Sequence, residues 1–182
     1  MCDETTLAAE EAALAKRGIS RRQFAAMGAA MAIAACAEPG NGNTPTLRES
    51  TVRITTPDGY ADAFFVHPAR GRHPGVILWP DVGGLRDAMK AMGRRLAGAG
   101  YAVLVVNQYY RGAMAPVLES FAQWRTPEGQ AKLRPLIAQV TPEGTMRDAA
   151  AYVAFLDMQR AVDPRRKIGS LGRVDKRLQP ES

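Results

Sequence analysis

In the stretch STVRITTPDGYADAFFVHP, residues 50–68, apolar and polar positions alternate on both sides of Pro57-Asp58-Gly59. Alternation interrupted by a Pro/Gly turn predicts a β-hairpin. The pattern then changes. Val76 to Trp79 is a continuous apolar run, as is YAVLVVN over 101–107, and such short runs suit strands buried on both faces of a parallel sheet. Between them Leu85, Met89, Met92 and Leu96 recur at helical spacing, and Gly98 and Gly100 predict the helix end. Strand, helix and strand with short connections make a right-handed crossover.

Two helix starts follow, spelled alike: Thr126-Pro127-Glu128-Gly129 and Thr141-Pro142-Glu143-Gly144. In each, the threonine caps, the proline takes the first helical position and the glutamate favours the positive helix end. The second helix is expected to bury Met146, Ala150, Val153 and Leu156 on one face, and a further strand is expected at Lys167-Ile168-Gly169. The fold class is therefore α/β: a mostly parallel sheet with flanking helices.

Residues 20–37, SRRQFAAMGAAMAIAACA, have a different character. The uncharged run from Ala25 to Ala35 is shorter than the roughly 20 residues that span a bilayer, and it matches the hydrophobic region of a signal peptide. Ser20-Arg21-Arg22-Gln23-Phe24 resembles a twin-arginine export signal, in which Arg21 and Arg22 are read directly. Ile33-Ala34-Ala35-Cys36 resembles a lipobox that would acylate Cys36, while Ala35-Cys36-Ala37 also fits ordinary signal peptidase. Both cleavage modes stay open. The expected division is signal peptide 1–36, linker 37–48, folded part 49–169 and tail 170–182. The expected location is the periplasm or, by lipid anchor, the envelope of a bacterial cell.

At 182 residues with 46% hydrophobic and 23% charged content, the chain has material for one core. Its net charge of +6 is unevenly spread: residues 1–35 balance, residues 36–163 hold fourteen basic against twelve acidic groups, and residues 164–182 hold six against two. That tail has no aromatic residue, which argues against a nucleic-acid partner. Membrane contact is expected only through the signal or a lipid anchor. The two cysteines, Cys2 and Cys36, make neither a disulfide framework nor a metal site, and no cofactor is expected.

Ligands in doubly wound sheets sit beyond the carboxyl ends of strands, so the turns after the two buried strands are the places for chemistry. In Pro80-Asp81-Val82-Gly83-Gly84 the glycines let backbone N–H groups approach an anion, although glycine also serves a tight turn alone. Arg111, after Tyr109 and Tyr110, has the planar fork for a carboxylate, or simply ends a strand at the surface.

Taken in order, HPGVILWPDVGGLRDAMKAMGRRLAGAGYAVLVVNQYYRG, then TMRDAAAYVAFLD, then KIG, residues 50–169 resemble the dienelactone hydrolase family of α/β-hydrolases. The resemblance implies an esterase or lactonase working by acyl transfer on a small ester or lactone, one that can bear a carboxylate. It implies an oxyanion-hole N–H from Val82, an acidic Asp81 beside the nucleophile, and substrate contacts from Tyr109 and Arg111. Here the chain departs from the family. The strand beginning Lys167-Ile168-Gly169 should enter a Gly-x-Cys-x-Gly or Gly-x-Ser-x-Gly elbow, yet it continues Gly169-Ser170-Leu171-Gly172-Arg173, where Ser170 has the wrong spacing. The histidine base should follow the elbow, and both histidines, His67 and His73, precede it.

The sequence therefore predicts an inactive N-terminal part of a hydrolase, cut short near the nucleophile strand by a frameshift, a premature stop or a genuine short product. It should have an aberrant tail and an open strand edge that lowers stability. The alternative is a non-catalytic module binding small carboxylates. A nucleotide binder is disfavoured, since neither strand is followed by a GxGxxG or Walker-type loop.

Overall fold

The computed structural model describes residues 45–172. The expected signal with Arg21 and Arg22, Cys36, most of the linker, and residues 173–182 of the tail lie outside the described residues. Strands β1 (Leu47–Thr56) and β2 (Gly59–Pro68) form the predicted hairpin, in register from Thr56↔Gly59 to Leu47↔Pro68. Its turn needs Gly59, whose φ of 131° is costly for a residue with a Cβ. The strand starts at Leu47, inside the stretch expected to be linker.

Strand β3 (Gly75–Leu78), helix α1 (Asp87–Gly98) and strand β4 (Ala102–Val106) make the crossover, and all five residues of β4 are buried. A 3₁₀ turn (Phe121–Arg125), helices α2 (Pro127–Ile137) and α3 (Pro142–Asp157), and strand β5 (Gly169–Leu171) complete the described chain. The sheet order is β1-β2-β4-β3-β5. It is mixed: the hairpin and the β2–β4 pair are antiparallel, whereas β4–β3 and β3–β5 are parallel.

Alternation sorts the sheet's side chains into two cores. Phe64, Val66, Val103 and Val105 pack with Met89 and Ala97 of α1. Ala63, Phe65, Leu104 and Val106 pack with Tyr152 and Leu156 of α3. Each fully buried Leu or Val contributes about 1.5–3 kcal/mol by leaving water, and this two-sided burial holds helices on both faces. A third cluster, Tyr109, Leu118, Leu133 and Leu136, lies beyond the end of β4.

Both duplicated helix starts work as spelled. Thr126 Oγ1 accepts the Gly129 N–H at 3.1 Å, and Thr141 Oγ1 accepts the Gly144 N–H at 3.0 Å. The face of α3 differs from the expected one. Met146 is 73% exposed and Val153 37%, while Gly144, Asp148, Tyr152 and Leu156 are buried. Apolar spacing misjudged the helix because a buried ion pair on Asp148, described below, draws the Asp148–Tyr152 side inward.

The last strand is displaced as well. Its residues are Gly169, Ser170 and Leu171, paired with Val76, Ile77 and Leu78, instead of Lys167–Gly169. The chain first bridges to His73 through Val162, then turns, and meets the free edge of β3 only from Gly169 onward. Ser170 and Leu171 thus belong to the sheet, and β5 has an unpaired outer edge among the described residues.

Candidate active site

The β3 chain leaves the sheet at Trp79, whose N–H donates to the Leu171 carbonyl at 2.8 Å, so the following turn begins beside the end of β5. That turn is held from within by Asp81. Its Oδ1 accepts the Gly83 N–H at 2.9 Å, and its carboxylate receives the two-pronged fork of Arg86 at 2.6 and 2.9 Å. Arg86 also donates to the Gly84 carbonyl at 3.1 Å. Its side chain is 5% exposed, and this bidentate geometry is the strong form of a carboxylate–guanidinium pair. Helix α1 starts on Arg86 without a side-chain cap, because a guanidinium has no acceptor to offer the first helical N–H groups.

From the other side, β4's extension braces the turn. The Tyr109 hydroxyl donates to the Val82 carbonyl at 2.8 Å, and Gln108 Nε2 donates to the Asp81 carbonyl at 3.1 Å. Gly84 has a φ of 74°, and a Cβ there would meet the Tyr109 ring at 3.1 Å, so both conformation and space require glycine. Burial pushes the Tyr109 phenol's pKa up, keeping it a donor. With its carbonyl fixed, half-buried Val82 presents an N–H that has no acceptor among the described residues.

Asn107 sets where this extension goes. Fully buried, it donates to Asp62 Oδ1 at 2.8 Å and to the Ala113 carbonyl at 2.9 Å, and accepts the Tyr109 N–H at 2.9 Å. Adjacent Tyr109 and Tyr110 consequently part company: Tyr109 joins the third cluster, and Tyr110 packs with the α3 core.

Arg111 is not an open fork. It donates to Asp148 at 2.8 and 2.9 Å and to Asp58, in the hairpin turn, at 2.7 and 3.1 Å. Arg147 adds a 2.9 Å bond to Asp58, and the Tyr110 hydroxyl donates to Asp148 at 2.7 Å. Burial alone would lower the Arg111 pKa, but its bonds to Asp148 and Asp58 hold it above the ordinary range. Asp58 is held below the usual carboxylate range by its hydrogen bonds from Arg111 and Arg147. This self-neutralising cluster, two cations on two carboxylates, leaves Arg111 little capacity for a substrate carboxylate.

Asp81 and Arg111 therefore belong to two separate ion-pair systems instead of one ligand shelf. Asp81 does not lie free beside an incoming nucleophile; Arg86 occupies both of its oxygens. Sequence reasoning missed Arg86 and Asp148. Arg86 carried a faint signal, a cation five residues beyond Asp81 across a glycine turn. Asp148 carried only the interruption it makes in an apolar helix.

The nucleophile and base positions remain empty of suitable chemistry among the described residues. Ser170 is a strand residue with its Cα opposite Ile77. His67 sits in β2 opposite Arg48, with Nδ1 2.7 Å from the Pro68 carbonyl. His73 faces the carbonyls of Gly100 and Arg70 at 3.0 and 2.8 Å, at the end of the sheet away from the turn. The buried Tyr152 hydroxyl has no partner among the described residues, and burial, then the Asp148 charge, raises its pKa.

Residues 61–173 match the family model described as "Dienelactone hydrolase family". Among solved structures the chain is similar to a candidate dienelactone hydrolase from Klebsiella pneumoniae subsp. pneumoniae, at 17% identity and a TM-score of 0.55, covering 70% of this chain and 50% of that one. It is also similar to P91, a dienelactone hydrolase-like promiscuous phosphotriesterase from metagenomic libraries, at 22% identity and a TM-score of 0.52, covering 69% and 48%. The chain thus spans about half the length of these structures. A search among curated proteins found no match.

Proposed function

The chain belongs to the dienelactone hydrolase family, and from that premise we propose that it carries the oxyanion-stabilising part of a hydrolase that cleaves small carboxylic esters or lactones. The observation that carries this is the Val82 N–H, without an acceptor among the described residues, in a turn pinned by Arg86, Tyr109 and Gln108. When a nucleophile adds to an ester carbonyl, negative charge develops on the carbonyl oxygen. An N–H already aimed at that oxygen stabilises it without reorganising at the moment of reaction. Asp81 and Arg86 act by holding the turn's shape.

On its own, the chain does not turn over esters in this reading. It contains no Gly-x-Ser-x-Gly or Gly-x-Cys-x-Gly elbow and no histidine beyond His73. A hole without nucleophile and base retains only weak catalysis. The engagement of Arg111 with Asp58 and Asp148 gives the carboxylate-binding alternative no support, so the substrate class stops at an ester or lactone. Action outside the bacterial cytoplasm is part of the proposal and rests on Arg21-Arg22 and the apolar run after them.

The test is to assay the chain on p-nitrophenyl acetate, alone and mixed with the C-terminal half of a related dienelactone hydrolase that carries its nucleophile turn and later strands. The expected result is no turnover alone and measurable turnover by the pair. Val82→Pro, which deletes the N–H, should lower the pair's kcat about 10²–10³-fold with little change in KM. Turnover by the chain alone that Ser170→Ala abolishes would sink the reading, as would a pair indifferent to Val82→Pro.

A further inference from the structure

At the N-terminal ends of β3, β4 and β5, two loops run side by side. The His73 N–H donates to the Ala161 carbonyl, and the Asp163 N–H donates to the His73 carbonyl, both at 2.8 Å, so residues 69–73 lie along residues 157–167. These loops expose Arg70, Arg72, Arg160, Arg165, Arg166 and Lys167. The acids among them are Asp157 and Asp163. Arg165 reaches Asp163 at 3.3 Å, and the other five cations have no carboxylate partner among the described residues. Like charges on neighbouring loops repel one another, and two acids among six cations offset that cost only in part.

Two exposed apolar tips flank the patch: Tyr101 at 39% exposure, in the turn whose Ala102 N–H donates to the Pro74 carbonyl at 3.0 Å, and Met158 at 75%, at the end of α3. The preceding chain joins the domain at this same end. The Thr46 carbonyl accepts the Ala69 N–H at 2.7 Å, and Leu47 pairs with Pro68, so the described chain begins beside the Arg70 loop.

We propose that this basic end of the domain rests on an anionic phospholipid surface. Cations attract the lipid phosphates, and Tyr101 and Met158 enter the interfacial layer. No helix among the described residues is long and apolar enough to cross a bilayer. This orientation turns the Pro80–Gly84 turn, at the opposite end of β3, away from the lipid and toward soluble substrate. A membrane is favoured over nucleic acid because the exposed Tyr101 and Met158 flank the patch, and an apolar Met158 has no use against a nucleic-acid backbone.

The inference stands independently of the hydrolase reading, and vesicle sedimentation of the full chain tests it. Partition onto vesicles containing one third phosphatidylglycerol should exceed that onto pure phosphatidylcholine by about tenfold or more, and should fall at high salt. The combined variant Arg70→Glu, Arg160→Glu, Arg166→Glu and Lys167→Glu should remove that excess, while Arg125→Glu with Arg134→Glu, near the other end of the sheet, should keep it. If the fourfold variant misfolds by circular dichroism, Arg70→Gln and Arg160→Gln should each lower the partition about twofold or more. Equal binding to both vesicles, equal loss in both charge-reversal variants, or binding to duplex DNA without binding to vesicles would overturn the proposal.

Discussion

The two ends of the sheet treat their charges in opposite ways. Beyond the carboxyl ends of β3 and β4, Arg86 sits on Asp81, Arg111 on Asp58 and Asp148, and Arg147 on Asp58. At the other end, five cations of the 69–73 and 157–167 loops have no such partner among the described residues. A buried guanidinium must be matched internally because the low-dielectric interior penalises bare charge, whereas a solvated one can be left for an external anion. The unmatched cations of these loops therefore say nothing about the Asp81–Gly84 turn. They describe the opposite surface.

The sharpest way to break this comparison is to unmatch the interior. Asp148 is 2% exposed, and Asp148→Ala leaves Arg111 half-unpaired against Tyr110; it should cost about 3–5 kcal/mol in denaturant unfolding. The double variant Asp148→Leu with Arg111→Met should be less destabilised than Asp148→Leu alone, because no bare cation then remains. If the two unfold alike, Asp148 acts through packing and the charge contrast is wrong.

A smaller effect is expected at the start of α3, the helix that presents Asp148. Thr141→Ala removes the bond to the Gly144 N–H and should cost about 1 kcal/mol, read as a shift in the urea midpoint at unchanged slope. Smallest is the pH response of the solvated member of the cluster. Arg111 and Arg147 hold the folded-state pKa of Asp58 below its ordinary 3.8, so its stabilisation is present above that value and disappears as pH falls through it toward the folded value. The Tm of wild type should therefore fall faster than that of Asp58→Asn on acidification below pH 3.8. Parallel curves would mean that the bonds to Asp58 contribute nothing to stability.

Legibility followed the range of the physics involved. The hairpin, the crossover and the two capped helix starts were readable because alternation, helical spacing and capping act within a few residues, as Thr141 and Gly144 do. The turn at Asp81–Gly84 was legible as a candidate for the same reason. The inward face of α3 was not. Met146 and Val153 fit an apolar stripe, but Asp148 is drawn inside by Arg111, 37 residues upstream, and no local pattern encodes that pairing. The start of β5 was likewise decided by where the edge of β3 becomes available.

By itself, then, the sequence determined the α/β class, the placement of glycine and acid in the first turn, and the lack of an elbow and a following histidine, all of which are properties of neighbours along the chain. Only the tertiary structure decided that Arg111 is spent on Asp58 and Asp148, that Arg86 clamps Asp81, and that Arg70 and Arg166 share one end of the sheet. Whether a charge is matched or left open depends on distances between residues far apart in sequence, and folding alone sets those distances.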